Sequence, residues 1–297
     1  MTQTAVPGDA PEKTTEQKLG QWNKHAYFDE LPDNLGPMRK LLAEYSHVPE
    51  ADIDAHLYAI RDKLWAVFQY PCIGRFSFLD LGMTKSPYYQ ESVKRLQASS
   101  SERLLDLGCC VGQVLRQLVH NDGVAPRQLS GSDLHREFLE LGYELFRDGP
   151  PSASEYTFVA GDVVSETPDH ALDALDKTVT MVNTANVFHL FDWAEQVRLG
   201  KRMVGFLKED APKDKGTLTF YGCHLSARVA CEHRVMPTSP KTRYLHDATS
   251  FQKLWDEIGV ATGTQWTITQ EQLPMEIGVA LTGDDNVQYV LFGVRRA

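Results

Sequence analysis

No run of 18 consecutive apolar residues occurs anywhere in the chain, so no segment reads as a membrane-spanning helix. Its first twenty residues, MTQTAVPGDAPEKTTEQKLG, lack the apolar centre of a secretion signal and the arginines of a transit peptide. A cytoplasmic protein with no membrane partner is therefore expected. Cysteine is scarce: Cys72, Cys109, Cys110, Cys223 and Cys231 are five in 297 residues, with no C-x-x-C pair among them. An odd number at that spacing supplies neither a disulfide framework nor a zinc site, and free thiols in a reducing compartment follow. Basic excess is missing too. Thirty Lys and Arg against forty Asp and Glu leave a formal charge of -10, a field that repels a phosphate backbone and argues against nucleic acid as a partner. No internal repeat is visible.

What is present is ordinary globular composition, 42% hydrophobic and 24% charged, enough for one large α/β domain with an added cap. Residues 1–20 have almost nothing to bury and read as a disordered tail. Residues 21–100 turn helical and aromatic. In DIDAHLYAIRDKLWAVFQYP, Ile53, Leu57, Ile60, Leu64, Val67 and Phe68 recur at helical spacing, and Pro71 is expected to stop that helix. This region is expected to be a helical cap or substrate lid on a core formed by 101–297.

After Ser99–Ser101 the pattern becomes strands alternating with helices, the mark of βαβ units and a parallel sheet. Strands are expected at Arg103–Leu107, Gln128–Asp133, Thr157–Gly161, Thr178–Asn183, Thr217–Gly222, Gln265–Gln270 and Gln288–Val294. Helices are expected at Val111–His120, Arg136–Arg147, Trp193–Leu207 and Thr249–Ile258. The turn Gly283-Asp284-Asp285-Asn286 makes the last strand an antiparallel partner.

The chemistry is concentrated in LLDLGCCVGQ, Leu104 to Gln113. Gly108 and Gly112 flank the turn from the first strand into the first helix, where a ligand can lie against bare backbone at a helix N-terminus. Twenty-one residues after Gly112, Asp133 closes the second strand in LSGSDLH, the place for an acid that binds ribose hydroxyls. In FVAGDVV, Asp162 is positioned to accept from the adenine amine while Val163 packs on the ring. A dinucleotide fingerprint, G-x-G-x-x-G, needs a glycine where Cys110 stands, which disfavours a nicotinamide-dependent oxidoreductase. Adjacent cysteines seldom bridge without strain, so Cys109 and Cys110 read as small residues admitting close backbone approach.

Asp106, Gly108 and Gly112 instead match D-x-G-x-x-x-G, and from Ser101 to Ala297 the chain resembles class I S-adenosylmethionine-dependent methyltransferases. The resemblance implies a Rossmann-like α/β fold with a seven-stranded, mostly parallel sheet and an antiparallel last strand. It also implies S-adenosyl-L-methionine as cofactor, with Asp106 organising the loop around the methionine moiety. Asp106, Gly108, Cys109, Gly112, Asp133, Leu134, Asp162, Val163 and Asn183 would be cofactor-binding positions. LLDLGCCVGQVLRQL, with YPCIGRFSFLDL before it and FHLFDWAEQ after it, is similar to fungal secondary-metabolite enzymes of this class, including those that methylate carboxyl groups of meroterpenoid intermediates.

The acceptor end is less constrained. VNTANVFHLFDW lacks the Asn/Asp-Pro-Pro-aromatic tetrad of amino-directed enzymes and the acidic metal ligand of the catechol type, so oxygen is the expected acceptor and no metal is implied. His189 lies just past the fourth strand and is the candidate general base. A carboxylic acid, already ionised at neutral pH, needs no base, whereas a hydroxyl or phenol does. Residues 222–248 read as a lid insertion rich in His224, Arg228, His233, Arg234, Arg243, Tyr244 and His246. Its cationic members, Arg228, Arg234 and Arg243 among them, suit a substrate carboxylate, as does Arg75, and Arg75, Arg228, His224, Tyr27, Tyr70 and Tyr88 are the expected substrate contacts. The expected function is O-methylation of a small hydrophobic natural product, preferably at carboxylate. Hydroxyl methylation through His189 and a non-catalytic cofactor-binding regulator are the alternatives. The sequence leaves oligomeric state open, a homodimer included.

Overall fold

The computed structural model describes residues 25–149, 155–167, 170–235, 240–273, 282 and 284–297. The tail expected over 1–20 and Gly283 of the last turn lie outside these residues. The chain runs through helices α1 (Gly36–Glu44), α2 (Ile53–Val67) and α3 (Pro87–Ala98) before its first strand, β1 (Leu104–Leu107). Then follow α4 (Gln113–His120), β2 (Leu129–Asp133), α5 (Arg136–Phe146), β3 (Thr157–Ala160), β4 (Met181–Asn183), α6 (Trp193–Phe206) and β5 (Leu218–Ala227). A ribbon of β6 (Cys231–Arg234) and β7 (Thr242–Leu245), helix α7 (Ala248–Thr262) and strands β8 (Trp266–Leu273) and β9 (Val287–Arg296) complete it.

Local chemistry sets the helix starts. Pro87 opens α3 behind Ser86, whose Oγ accepts the Tyr89 N–H. Asp192 and Glu195 form a reciprocal capping box at α6, and Asp247 and Ser250 do the same at α7. The α2 positions Ile53, Leu57, Ile60 and Leu64 are buried, as their spacing predicts.

The sheet has the order β3-β2-β1-β4-β5-β9-β8, with β9 antiparallel to both neighbours. β1, β2, β3, β4 and β5 are mutually parallel. This is the expected Rossmann-like class I methyltransferase sheet. Its strand order reverses between β1 and β4, which is where open α/β sheets hold their ligands. Apolar side chains of α3 and α4 cover one face, including Tyr89, Val93, Leu115 and Leu118. Those of α6 and α7 cover the other, including Leu199, Met203, Phe251 and Trp255. Each such side chain contributes about 1.5–3 kcal/mol by leaving water. A third cluster joins α1, α2 and the Pro71–Leu81 region to Phe138, Leu145 and Phe146 of α5 and to Val111. The N-terminal helices are thereby seated against the glycine loop side of the sheet.

β5, β8 and β9 run past their expected ends, to Ala227, Leu273 and Arg296. β5 continues past Gly222 to Ala227, because β9 pairs with it along that whole length, Gly222 with Phe292 through Ala227 with Val287. Residues 222–248 thus contain the end of β5 and the β6–β7 ribbon.

Candidate active site

The loop between β1 and α4 is held open by its own backbone requirements. Gly108 has φ +75°, and a Cβ there would stand 2.4 Å from Val187 Cγ2. Only glycine lets the segment after β4 approach this loop so closely. Gly112, at φ +67°, caps α4, and a Cβ on it would meet Arg116 Nη1 at 2.5 Å. Arg116 is fully buried, paired with Asp148 through Nε at 2.8 Å and Nη2 at 3.1 Å, and its Nη1 donates to Val111 O at 3.0 Å. The rings of Tyr143, Phe146, Tyr156 and Phe158 surround the guanidinium at 4.9–5.3 Å. Arg116 is a positioning residue for the loop, and its helical spacing alone did not single it out.

The two cysteines have different surroundings. Cys109 is buried, with Sγ against Gly131 of β2, where no Cβ competes for the space. Cys110, at φ +51°, donates its N–H to Asp133 Oδ2 at 2.8 Å and packs toward the N-terminal helices, close enough to Cys72 for burial and that neighbour both to raise its thiol pKa. All five cysteines are free thiols. Steric fit accounts for Cys109, and backbone placement for Cys110.

Asp106 lies buried in β1, and its Oδ1 accepts the Asn183 side-chain amide at 2.7 Å. Burial, with Asp133 adding to it, lifts its carboxyl to about 7 against the Asn183 hydrogen bond. Asp133 also accepts the His135 N–H at 3.2 Å, and burial raises its pKa. Its backbone carbonyl takes the Gly161 N–H at 3.0 Å, which draws the end of β3 alongside, where Asp162 Oδ1 accepts the Val164 N–H at 3.0 Å. Leu134 beside it is half exposed. At the β1–β4 crevice, Asn183 Oδ1 and Thr184 Oγ1 are buried without hydrogen-bond partners among the described residues, as is His135 Nε2 near β2. Orphaned oxygens beside an acid-lined glycine loop fit a ligand rich in donors, such as an α-ammonium and ribose hydroxyls. Asp106, Gly108, Cys109, Gly112, Asp133, Leu134, Asp162, Val163 and Asn183 are brought to this one edge of the sheet.

Comparison with known sequences decides the family. Residues 26–79 match the meroterpenoid methyltransferase N-terminal domain. The chain is 38% identical to O-methyltransferase phiE of a fungal species (strain ATCC 74256), over 83% of this chain and 79% of that one. It is 36% identical to the asnovolin E/chermesin D methyltransferase nvfJ of Aspergillus novofumigatus, over 78% and 79% respectively. The chain belongs to this family of fungal methyltransferases. Among solved structures, the O-methyltransferase of a trans-AT polyketide synthase multienzyme of Brevibacillus brevis, in complex with S-adenosyl-L-homocysteine, aligns with a TM-score of 0.46 at 14% identity, covering 70% of this chain and 71% of that one.

In this methyltransferase the expected acceptor residues scatter. Tyr70 does join the glycine-loop side near Asp133: its ring lies 4.2 Å from Phe68 and 6.0 Å from His135, and burial followed by the charge of Asp133 lifts its hydroxyl to about 12. Tyr27 instead stacks under Arg61 at 4.2 Å and donates to Asp62. Arg75 donates to His25 O at 2.5 Å and lies over Phe28, fastening the strap before α1 rather than facing the loop. Tyr88 bonds Thr269 Oγ1 at 2.6 Å and fills the space over Gly293, sealing α3 on β8 and β9. His224 is buried between Phe188, Phe251 and Phe292, its ring nitrogens without partners among the described residues. Arg228 is exposed, donates to Asp285 O, and lines a 490 Å³ groove with Asp247, Thr249 and Gln270 that shares no residue with the glycine loop.

His189 sits in the turn Phe188–Leu190 that follows β4, two residues past the Val187 that touches Gly108. It is buried, and its Nδ1 accepts the Leu225 N–H at 3.3 Å. Burial first, then Arg243 and His224, push its pKa well below the usual imidazole value. Among the described residues no group of three or more His, Cys, Asp or Glu is placed to hold a metal ion, and no helix is long and apolar enough to cross a membrane.

Proposed function

We propose that this methyltransferase converts a carboxylic acid on a small hydrophobic natural product into its methyl ester, using S-adenosyl-L-methionine. The observation that carries the reading is the state of His189. With Nδ1 accepting from a backbone N–H, the ring proton resides on Nε2, so the imidazole is neutral and a donor rather than a base. Its lowered pKa makes it a still weaker proton acceptor. An acceptor that must lose a proton during attack would find little help here, whereas a carboxylate arrives ionised.

When bound, the cofactor supplies an electrophilic methyl group on a sulfonium. An ionised carboxylate would take that methyl, the C–O bond forming as the C–S bond breaks, so the chain would have no proton to place. The chain's task is then alignment and exclusion of water. Asp133 and Asp162 would hold ribose and adenine, the Asn183 and Thr184 oxygens the methionine end, and the N-terminal helices with Tyr70 would close over them. The names of the relatives, O-methyltransferase phiE and the asnovolin E/chermesin D methyltransferase among them, agree with oxygen as the acceptor and a secondary metabolite as its carrier.

The test is a screen of apolar acids and phenols with the full chain, products read by mass and by lability to mild base. Ester formation whose single-turnover rate in His189→Asn stays within about tenfold of wild type, with no rising limb at or below the ordinary imidazole range, is the expected outcome. Ether products, or a loss of 100-fold or more confined to pH values above such a limb, would replace this reading with base-assisted hydroxyl methylation.

A further inference from the structure

The chain buries three arginines, and two of them are visibly compensated. Arg116 has Asp148, and Arg61 has Asp62 together with the carbonyl of Phe28. The third, Arg243 on β7, is 6% exposed, yet no carboxylate among the described residues pairs with it. Among the described residues its Nε is buried without a hydrogen-bond partner, and its one side-chain hydrogen bond is a terminal nitrogen 3.5 Å from His233 Nδ1 across the ribbon. Burial lowers its pKa to about 10, and Cys231 is the opposing influence. A buried cation without a counter-charge is costly, and such groups persist where a ligand supplies the missing charge.

Its place in the fold says which ligand. The Tyr244 N–H donates to Phe191 O at 2.9 Å, docking β7 onto the turn that holds His189. Arg243 is close enough to His189 to be the strongest charged influence on that ring. The same segment touches the glycine loop through Val187 and Gly108. The guanidinium is therefore held against the turn that follows β4, the segment that leads from the glycine loop to β7.

We propose that Arg243 is the acceptor-carboxylate receptor, the residue that selects an acid over its neutral analogues. The assignment rests on the carboxylate reading given above. A guanidinium matches a carboxylate in charge and planarity, and the carboxylate retains lone pairs for attack while bonded. Methylation removes the charge, so the ester loses the contact that recruited the acid, which favours its release.

Calorimetry on the full chain saturated with S-adenosyl-L-homocysteine tests this, with benzoate, 4-phenylbutyrate and decanoate each compared with its primary amide. Wild type is expected to bind at least one acid ten or more times tighter than the amide. Arg243→Met should abolish that preference, and Arg243→Lys should keep part of it, both with unchanged S-adenosyl-L-homocysteine affinity and undiminished melting temperature. A preference that persists in Arg243→Met overturns the assignment while leaving the carboxylate reading intact. No preference in wild type overturns the carboxylate reading and this assignment with it. Loss of S-adenosyl-L-homocysteine binding and melting temperature in both variants makes Arg243 structural and also overturns it.

Discussion

Asn183 at the end of β4 donates its amide to Asp106 in β1 at 2.7 Å, tying together the two strands between which the sheet order reverses. Asn183 Oδ1 has no partner among the described residues, and burial raises the Asp106 carboxyl to about 7 in spite of the bond.

That raised value makes a stability statement. In the unfolded chain Asp106 loses its proton near pH 4, but in the fold it keeps it until about 7, so stability falls as pH rises through this window. Asp106→Asn keeps the acceptor oxygen without the charge. Measured without cofactor, the variant is expected to match wild type near pH 4 and to exceed it by about 2–4 kcal/mol at pH 8. A difference independent of pH in urea titrations would refute the assignment.

Arg116 is expected to be the most expensive single loss near the glycine loop. Arg116→Met strands Asp148 and the Val111 carbonyl, for about 3–5 kcal/mol in denaturant midpoint experiments. Adding Asp148→Leu should return part of that. If the double variant is no more stable than the single one, the pair is not what holds Arg116 in place.

Tyr70 should behave as a cofactor residue rather than an acceptor residue, because it lies with Phe68 and His135 beside Asp133. Tyr70→Ala is expected to weaken S-adenosyl-L-homocysteine binding about 3- to 10-fold, the worth of one aromatic contact. Unchanged binding in calorimetry would return it to the acceptor side.

His224 should destabilise the protein in acid. Burial lowers its pKa from 6.5 to about 3, so below pH 6.5 the unfolded chain takes up a proton that the native ring refuses. Stability is therefore fully present above pH 6.5 and lost as pH falls, by about 2 kcal/mol from this group at pH 5. His224→Leu removes both the unpartnered ring nitrogens and the titration. Its advantage over wild type should grow between pH 7 and pH 5, and a constant or shrinking advantage would count against a neutral, sealed histidine.

The glycine loop and the acid-bearing strand ends beside it were legible from the sequence because their determinants are local. An apolar run ending in Asp106 and Gly108, a capping glycine at 112, and acids at the ends of the next two strands fix a loop and its neighbours within about sixty residues of chain. The alternation of strand and helix patterns likewise placed α6 and α7 to within a few positions. What lay beyond reach depends on partners distant in sequence. The length of β5 is set by β9, and β9's antiparallel entry beside it turns His224 toward Phe292 and Phe251 while Cys223, one residue away, faces Tyr289. In the sequence Arg75, Arg228 and Arg243 were equivalent cations near aromatics. Docking of the strap, the outer groove and the β6–β7 ribbon gave one a carbonyl, one solvent, and left one buried without a counter-charge, because burial and electrostatic compensation belong to assembled surfaces and not to spacing along a chain.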